Sequence, residues 1–423
     1  LAKKTANPHD NSLRAPLSPA EAEGSGPSFG DTVGTVLVWN HEKPQTPRAE
    51  LNDQKPGPRV LNLKSRASLT MMLAGVGDQY LNMGSGLYRS QTDFRQAFDL
   101  CAEHLQSLLT RDIRQDLFRE QADGSTSNSS SAPDFRAMLR RGSLKSTQPE
   151  VEGLEATEIV QPLMFSFVYS LATMWQKVGL KPDALIGYSV GEYVAACLAG
   201  VFSLPDALAI VATRAKLIAK MPRGGLMAVP LSEKDCQPLL GESVHVAITS
   251  SPKQTILAGT PTSLEEVQLS LKARGIVARA LPGSHAYHSP MLSPVSEHLV
   301  RHLNLVKLKK ASIPVISNLT GKPLLESEAT RPDYWSQHTC STVRFYEGLS
   351  FLLQSGDMDL LEVGPGRSLG SFAMQHPLYN KTGIHNMLST ISGKWENLSD
   401  ERVFLDSRGV FHLLGHNSVP GES

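Results

Sequence analysis

Apolar positions along the chain follow distinct periods, and each period predicts its own kind of element. Over Thr157–Val178 they recur at helical spacing, which predicts one long buried helix. The same spacing predicts a helix over Leu204–Ala219, with Ser203 as its N-cap. Between these segments, Asp183–Ile186 is a short apolar run typical of a buried strand, and Glu192–Ala199 continues with helical spacing. The predicted order in the centre of the chain is therefore helix, strand, helix, helix.

The pattern changes between Gly225 and Ala280, where short strands alternate with short helices. The predicted strands are Leu226–Val229, Val244–Ile248, Thr255–Ala258 and Val277–Ala280, and the predicted helices are Glu233–Leu240 and Ser263–Arg274. The order β-α-β-β-α-β is typical of a small ferredoxin-like domain. We therefore predict that such a domain is inserted into a larger one.

The elements after residue 285 return to the larger unit. A helix is predicted over Pro294–Leu303, and buried strands over Pro314–Asn318 and Leu360–Val363. Beyond Thr390 the chain is polar and is predicted to be an irregular linker or partner surface. The resulting fold class is α/β: an α/β-hydrolase-like large subdomain with a parallel sheet, plus the inserted ferredoxin-like small subdomain.

This organisation divides the chain into five segments. We predict a linker at 1–66, the large subdomain at 67–224 and 285–380, the small subdomain at 225–284, and a trailing linker at 381–423. Within these, Val33–Trp39 is predicted to be a strand. A Ser-rich loop at Ala122–Ser131 and a basic run at Arg140–Lys145 are predicted to be solvated linker.

Composition narrows the class of protein. The 423 residues carry 41 basic and 41 acidic side chains, so neither nucleic acid nor an anionic membrane is expected as the main partner. The four cysteines show no metal-binding spacing and are expected to be reduced residues of a cytoplasmic protein. No apolar run is long enough to cross a bilayer, and the sequence predicts no signal peptide. Because the chain begins with Leu1, we expect a segment of a longer polypeptide.

The strongest chemical signal is the run Gly187-Tyr188-Ser189-Val190-Gly191. It fits the G-x-S-x-G nucleophile elbow, in which a serine lies on a sharp turn between a strand and a helix. The glycines allow the tight turn, and the helix N-terminus offers backbone N–H groups to an oxyanion. Since a strand is predicted before Ser189 and a helix after it, the context agrees with a nucleophile.

A serine nucleophile needs a nearby base. Among the 13 histidines, His288 and His285 stand out because they lie where the small subdomain returns the chain to the large one. A chain crossing between two subdomains passes along a cleft, where sites usually lie. On this reasoning His288 is favoured, His285 remains the competing candidate, and a purely structural role is open for both.

Several ordered motifs then carry a resemblance to a known family. They are Leu73–Gly84, Gln161-Pro162, Gly187–Tyr193, Arg214, His285–Ser289, Ser317–Gly321, Tyr334-Trp335 with Val343–Phe345, and Glu362–Gly366. As a set they resemble the malonyl-CoA:acyl-carrier-protein acyltransferase domain of a modular polyketide synthase, over roughly residues 68–376. The resemblance implies a two-step transfer of an acyl group through a serine ester.

The resemblance also implies a role for each residue of a catalytic dyad. Ser189 would attack the thioester, and His288 would act as the base. A backbone carbonyl near Arg344 would orient the second nitrogen of the His288 ring. Backbone N–H groups of Val76 and Val190 would form the oxyanion hole. Val76 stands where the family usually has glutamine, but a backbone donor needs no particular side chain.

The acyl pocket is implied in the same way. Its expected residues are Arg214, Gln161, Met227, His285 and Tyr287. Arg214 would hold the free carboxylate of a malonyl group through two charge-assisted bonds. The motif His285-Ala286-Tyr287-His288 resembles the malonyl-selecting pattern, in which a bulky ring crowds the methyl group of methylmalonyl.

The implied partners are an acyl carrier protein, a coenzyme A thioester and the neighbouring domains of a megasynthase. Residues 1–66 would be the linker from a ketosynthase. No bound cofactor and no metal is expected, because the reactants are malonyl-CoA and the phosphopantetheine arm of the carrier. Tyr188 and Ser250 depart from the family pattern, and the second leaves one substrate contact open.

Two other functions remain open at this point. A serine hydrolase or thioesterase would use the same elbow, but such enzymes usually place an aspartate between the serine and the histidine in chain order. Asp206 and Asp235 are the candidates for that aspartate. A non-catalytic scaffold domain is the third hypothesis, and the intact Ser189, His288 and Arg214 argue against it.

Overall fold

The computed structural model describes residues 34–38, 59–63, 67–119 and 152–416. Most of the predicted linker at 1–66, the Ser-rich loop and the basic run lie outside the described residues. The strand predicted near Val33–Trp39 is confirmed as Gly34–Val38, which pairs antiparallel with Arg59–Leu63.

Eleven strands are described. They are β1 (Gly34–Val38), β2 (Arg59–Leu63), β3 (Ser68–Leu73), β4 (Ala184–Gly187), β5 (Gly225–Val229), β6 (Val244–Ser251), β7 (Gln254–Gly259), β8 (Arg279–Leu281), β9 (Val315–Ile316), β10 (Met358–Val363) and β11 (His385–Ser389).

The helices of the described residues lie between and after these strands. They are α1 (Ser85–Ser90), α2 (Thr92–Leu109), α3 (Ile113–Leu117), α4 (Glu152–Glu155), α5 (Thr157–Lys177), α6 (Val190–Leu198), α7 (Leu204–Ala219), α8 (Glu233–Cys236), α9 (Pro261–Ala273), α10 (Ser293–Leu303), α11 (Glu326–Ala329), α12 (Pro332–Cys340), α13 (Phe345–Leu353), α14 (Ser368–Met374) and α15 (Asp400–Leu413).

The large subdomain is built on a five-stranded parallel sheet in the order β11-β10-β3-β4-β9. Its central strands are buried along nearly their whole length, as expected for parallel strands covered on both faces. Their apolar runs explain why a continuous hydrophobic stretch, and not an alternating one, marked these strands in the sequence. The carboxyl ends of the strands share one edge of the sheet, and Ser189 follows β4 at that edge.

The small subdomain is a four-stranded antiparallel sheet in the order β6-β7-β5-β8. With its two helical segments it forms the predicted β-α-β-β-α-β unit, and its strands and helices are confirmed within a few residues. Helices and strands of this unit enclose a separate apolar core around Val229, Leu257 and Leu271. The subdomain is joined to the large one by backbone bonds, since Thr249 N–H donates to Val343 O (3.0 Å) and Val343 N–H donates to Ala247 O (2.9 Å).

The end of the chain corrects one prediction. The stretch beyond Thr390 is not irregular, because it contains the 14-residue helix α15. Phe404 and Phe411 of this helix pack against Trp175, with ring centroids 5.0 and 5.8 Å apart. The apolar residues of α15 lie on one helical face between charged ones, so the stretch resembles a polar linker unless its period is counted.

No helix in the described part of the chain combines the length and the apolar character needed to span a bilayer.

Candidate active site

Ser189 lies on the turn that joins β4 to α6, and its backbone is held in an unusual conformation. Its φ of 55° and ψ of −116° fall outside the regions that non-glycine residues normally adopt. The turn is crowded, because a Cβ atom on Gly191 would lie 2.1 Å from the carbonyl oxygen of Leu73. The glycine of the elbow is therefore required by close approach of the neighbouring strand, and the turn presents Ser189 at the sheet edge.

His288 is the histidine that meets this serine. Its Nε2 atom lies 2.6 Å from Ser189 Oγ. Like Ser189 it has a positive φ, of 58°, and it is buried. Of the two histidine candidates, His285 instead forms a hydrogen bond through Nδ1 with Ser284 Oγ (2.8 Å). The structure therefore brings Ser189 together with His288 and leaves His285 outside this contact.

The carbonyl that orients His288 is not the one expected from the resemblance. His288 Nδ1 lies 3.1 Å from the carbonyl oxygen of His338, in the last turn of α12. Carbonyls in a last helical turn lack intrahelical partners, so this one is available. The carbonyl of Arg344 accepts a bond from Gly348 N–H as α13 begins, so the prediction for Arg344 was wrong. With Nδ1 donating, Nε2 of His288 is the acceptor for the Ser189 hydroxyl.

Burial sets the protonation of His288. Desolvation, together with the nearby His338 and Arg214, lowers the pKa of His288 well below its ordinary value. A low pKa keeps the imidazole neutral at physiological pH, which is the form that accepts a proton. The geometry and the electrostatics therefore agree on a basic Nε2 beside the serine.

The two predicted oxyanion-hole residues belong to segments that adjoin the Ser189 turn. Val190 is the first residue of α6, where backbone N–H groups have no partner within the helix. Gly75, the neighbour of Val76, packs directly against the elbow: a Cβ atom there would lie 2.3 Å from Tyr188 O and 3.4 Å from Ser189 Cβ. The role of Val76 and Val190 as oxyanion donors stays a prediction.

Arg214 is fully buried on α7 and lacks a carboxylate partner within the described residues. Its Nη1 donates to Gln161 Oε1, its Nε donates to Thr339 Oγ1 (3.2 Å), and its guanidinium lies 5.7 Å from the ring centre of Tyr193. Its Nη2 and the Nε2 of Gln161 have no hydrogen-bond partner in the described structure. Desolvation lowers the pKa of Arg214. Unpaired buried donors are costly, so this pair of groups is suited to receive an anion.

Tyr287 is held by a residue that sequence reasoning did not single out. Its hydroxyl lies 2.5 Å from Thr157 Oγ1, at the first residue of α5. The same Thr157 oxygen lies 3.4 Å from both Ser284 Oγ and His285 Nδ1. Thr157 therefore connects the residues of the His285-Ala286-Tyr287-His288 motif to the long helix that also carries Gln161.

Met227 does not take part in this site. It lies on β5 with Val229, and both side chains pack in the core of the small subdomain. Alternation along the strand turns Leu226 to the opposite side, against the large core. The predicted substrate contact of Met227 was therefore wrong, because a strand's register decides which face each residue occupies.

Three further buried residues surround the dyad and were absent from the predicted site. Asn318 Oδ1 accepts a bond from Ser189 N–H (3.0 Å). The other two residues are Glu192 and His338, which contact each other, with His338 Nε2 3.3 Å from Glu192 Oε2. Asn318 could have been found from its position two residues after β9, since the carboxyl ends of parallel strands meet at one edge.

The aspartates of the hydrolase alternative are elsewhere. Asp206 contacts Ser203 and Asp235 contacts Ser232, each at 2.6 Å, and both serines are helix N-caps. Both aspartates are half-buried or exposed. His288 is held by a backbone carbonyl instead. Within the described residues no group of three His, Cys, Asp or Glu side chains is arranged to hold a metal ion.

A cleft of about 490 Å³ opens beside His288 between the two subdomains. Its walls include Arg344 and Leu319 of the large subdomain and Glu233 and Val246 of the small one. Arg344 Nη1 and Glu233 Oε2 form an ion pair across it at 2.6 Å. Of the two dyad residues, His288 is the one that lines the cleft.

Comparison with known proteins gives the family. The family model described as acyl transferase domain matches residues 70–417. A phenolphthiocerol/phthiocerol polyketide synthase of Mycobacterium tuberculosis is 28% identical over 364 residues, covering 86% of this chain and 22% of that protein. The spectinabilin polyketide synthase system protein NorB of Streptomyces orinoci is 30% identical over 331 residues, covering 76% of this chain and 14% of that protein. The chain thus spans less than a quarter of the length of these relatives.

Solved structures agree. The acyl transferase domain of SpnD, in complex with a 2-(pent-4-yn-1-yl)malonyl group, is 31% identical with a TM-score of 0.74, covering 86% of this chain and 80% of that chain. The acyl transferase domain of ZmaA is 28% identical with a TM-score of 0.71, covering 86% and 79%. Since the family model spans most of the chain, the protein belongs to the acyl transferase domain family, and its relatives are polyketide synthases.

Proposed function

We propose that this domain transfers a malonyl group from malonyl-CoA to the phosphopantetheine thiol of an acyl carrier protein. The observation that carries the proposal is the buried Arg214, whose Nη2 has no partner in the described structure. Arg214 lies next to the dyad, because it bonds Thr339 while the adjacent carbonyl of His338 bonds His288. A free acid group on the acyl chain would complete this arrangement.

The chemistry proceeds in two halves through one ester. Ser189 Oγ attacks the thioester carbon while its proton passes to His288 Nε2, 2.6 Å away. The oxyanion is held by the N–H groups of Val76 and Val190, and its collapse expels the coenzyme A thiolate, which takes the proton from His288. The carrier thiol then gives its proton to His288 and attacks the ester. Ser189 leaves and recovers that proton.

Arg214 selects a dicarboxylic acyl group. Two parallel bonds from a guanidinium to a carboxylate are charge-assisted and directional. Gln161 supports the arrangement, because its oxygen fixes Nη1 of Arg214 and its own Nε2 is available to the same anion. An acetyl group has no carboxylate to accept from Arg214 or Gln161. The buried donors of these two residues therefore stay unpaired when acetyl is bound, and acetyl binds weakly.

Tyr287 favours malonyl over methylmalonyl. Its ring is fixed by the bond to Thr157, so it cannot swing away from an added methyl group without breaking that bond. A methyl-sized difference in a pocket is worth about 1–3 kcal/mol, which corresponds to about 10- to 200-fold. On this basis we expect a partial preference for malonyl over methylmalonyl. The SpnD relative holds a larger substituted malonyl group, which agrees with a pocket that tolerates substituents in other members.

The proposed partners follow from the same chemistry. The cleft beside His288 would admit the pantetheine arm of either coenzyme A or the carrier protein. Neighbouring synthase domains would flank this one in a longer cytoplasmic polypeptide, as in its polyketide synthase relatives. No resident cofactor is needed, because both thiols are substrates.

Intact-mass analysis tests the proposal. The domain is mixed with equal malonyl-CoA and methylmalonyl-CoA, and Ser189→Ala is the matched control. The expected result is a single malonyl group on the wild-type protein, little methylmalonyl, and no adduct on the variant. An unmodified wild-type protein, or the same adduct on the Ser189→Ala variant, would reject the proposal.

A further inference from the structure

A buried carboxylate lies directly behind the dyad. Glu192, in the first turn of α6, has no solvent exposure. Its Oε2 accepts a bond from Asn318 N–H (2.7 Å) and lies 3.3 Å from His338 Nε2, and its Oε1 accepts a bond from the Tyr334 hydroxyl. One carboxylate therefore contacts residues from α12 and from the loop after β9.

Through Asn318, Glu192 is connected by hydrogen bonds to the nucleophile Ser189. The Asn318 side chain accepts a bond from Ser189 N–H (3.0 Å) and donates to the carbonyl oxygen of Gly187 (2.8 Å). These two bonds lie on either side of the elbow, whose φ at Ser189 is 55°. Strained conformations persist only where the surroundings hold them, and Asn318 is such a support.

Through His338, Glu192 is connected by hydrogen bonds to the base His288. The His338 ring is buried, and its Nε2 has two acceptors nearby, Glu192 Oε2 at 3.3 Å and Asn318 Oδ1 at 3.4 Å. Nε2 is therefore the protonated nitrogen of that ring. The backbone carbonyl of the same residue accepts the bond from His288 Nδ1. Fixing the His338 side chain thus fixes the carbonyl that orients His288.

We propose that Glu192 is a positioning residue that couples the two members of the dyad: it holds Asn318 against Ser189 and His338 against His288. This inference rests on the proposed function only in taking Ser189 as nucleophile and His288 as base. A carboxylate in a first helical turn also stabilises the helix, so loss of stability alone would not distinguish the two roles. The distinguishing quantity is the reactivity of Ser189.

Glu192→Gln is the sharpest change, because it keeps the size of the side chain and one oxygen acceptor. The amide oxygen can take the place of Oε2 and still accept from Asn318 and His338, but it carries no charge, and the amide NH2 then faces the Tyr334 hydroxyl. Both supports are then held more weakly, because a hydrogen bond to a charged acceptor is about twice as strong as a neutral one. Misplacement of a reacting group by about 1 Å costs up to about a hundredfold in rate, so we expect Ser189 to react tenfold to a hundredfold more slowly.

The rate of Ser189 labelling by a fluorophosphonate probe measures this without malonyl-CoA. We expect Glu192→Gln to slow labelling by the stated factor, and to lower kcat for malonyl transfer while KM changes less than about threefold, because Arg214 is untouched. Asp359→Asn is the matched control, since Asp359 is also buried and pairs with a histidine, His416 (2.6 Å), but in the first half of β10, away from the edge that carries Ser189. Its labelling rate should equal that of the wild type.

Equal labelling rates in Glu192→Gln, Asp359→Asn and wild type would overturn the inference. If Glu192→Gln does not fold, Tyr334→Phe replaces it, because it removes one donor from the carboxylate and leaves the rest. We expect a several-fold slower labelling there, and an unchanged rate would equally overturn the inference. If the wild type is labelled by the probe but not by malonyl-CoA, the proposed function fails while the role of Glu192 is still measured.

Discussion

Replacing Arg214 by methionine separates acid recognition from the rest of the chemistry. The guanidinium is buried, bonds Gln161 and Thr339, and has one nitrogen without a partner in the described structure. Methionine fills a similar space without charge. The change leaves Ser189 and His288 in place, because neither accepts a bond from Arg214.

The magnitude follows from the two bonds expected between Arg214 and the malonyl carboxylate. A hydrogen bond to a charged group contributes about 1.5–3 kcal/mol, so two contribute about 3–6 kcal/mol. At about 1.4 kcal/mol for each factor of ten, kcat/KM for malonyl-CoA should fall by about 10²- to 10⁴-fold. Acetyl-CoA makes neither bond, so its kcat/KM should be unchanged or higher.

The stability of the Arg214→Met variant against unfolding should differ little from that of the wild type. Removing a buried unpaired charge is neutral or stabilising, whereas Gln161 and Thr339 each lose a partner. These effects have opposite signs and similar sizes, so the unfolding midpoint should change by only a few degrees. Malonyl transfer is thus expected to fall without a matching loss of the fold.

The assay is the ratio of kcat/KM for malonyl-CoA to that for acetyl-CoA, read as acyl group on the carrier protein. Arg114→Met is the control, because Arg114 is an arginine of the same subdomain with carboxylate partners, Asp99 at 3.1 Å and Asp112 at 2.8 Å. Its ratio should match that of the wild type. A ratio unchanged in Arg214→Met, or an equal fall for both thioesters, would refute the reasoning.

Three further predictions concern the base, the elbow and the acyl pocket. Because burial lowers the pKa of His288, the acylation rate should stay flat from about pH 8 to about pH 6, and an inflection near the ordinary histidine value would contradict this. Gly75→Ala puts a Cβ atom 2.3 Å from a backbone oxygen of the elbow and should slow acylation at least about tenfold. The control is Gly409→Ala, which has open space around the added Cβ atom and should leave the rate unchanged. Equal acylation rates in the two variants would contradict the steric argument. Thr157→Val removes the partner of the Tyr287 hydroxyl, worth about 1 kcal/mol, and should lower malonyl-over-methylmalonyl selectivity up to about tenfold in a mass competition; an unchanged ratio would count against it.

Local patterns made much of the fold predictable. The elbow, the long helix α5 and the strands of the small subdomain each carry a period or a run that fits within a few residues of the observed element. The helix α15 carried the same kind of signal but was concealed by the charges between its apolar residues. These helices and strands are formed by residues that are close in sequence, so the spacing of apolar residues was sufficient to predict them.

The contacts that complete the site depend on tertiary packing. Which carbonyl reaches His288 is decided by where α12 ends, and the sequence offered no means to choose His338 over Arg344. Met227 faces the small core because of the register of β5, which a single sequence does not fix. Glu192 was visible in the elbow motif, yet its link to Asn318 spans 126 residues.

The central claim is that Ser189 holds a malonyl group that a carrier thiol removes. The most direct measurement isolates the malonylated domain and follows the mass of both proteins after adding carrier protein with or without its phosphopantetheine arm. We predict that malonyl moves from Ser189 to the armed carrier far faster than water releases it, and that the unarmed carrier has no effect. Release at the same rate with either carrier, with malonyl appearing as free acid, would contradict the account.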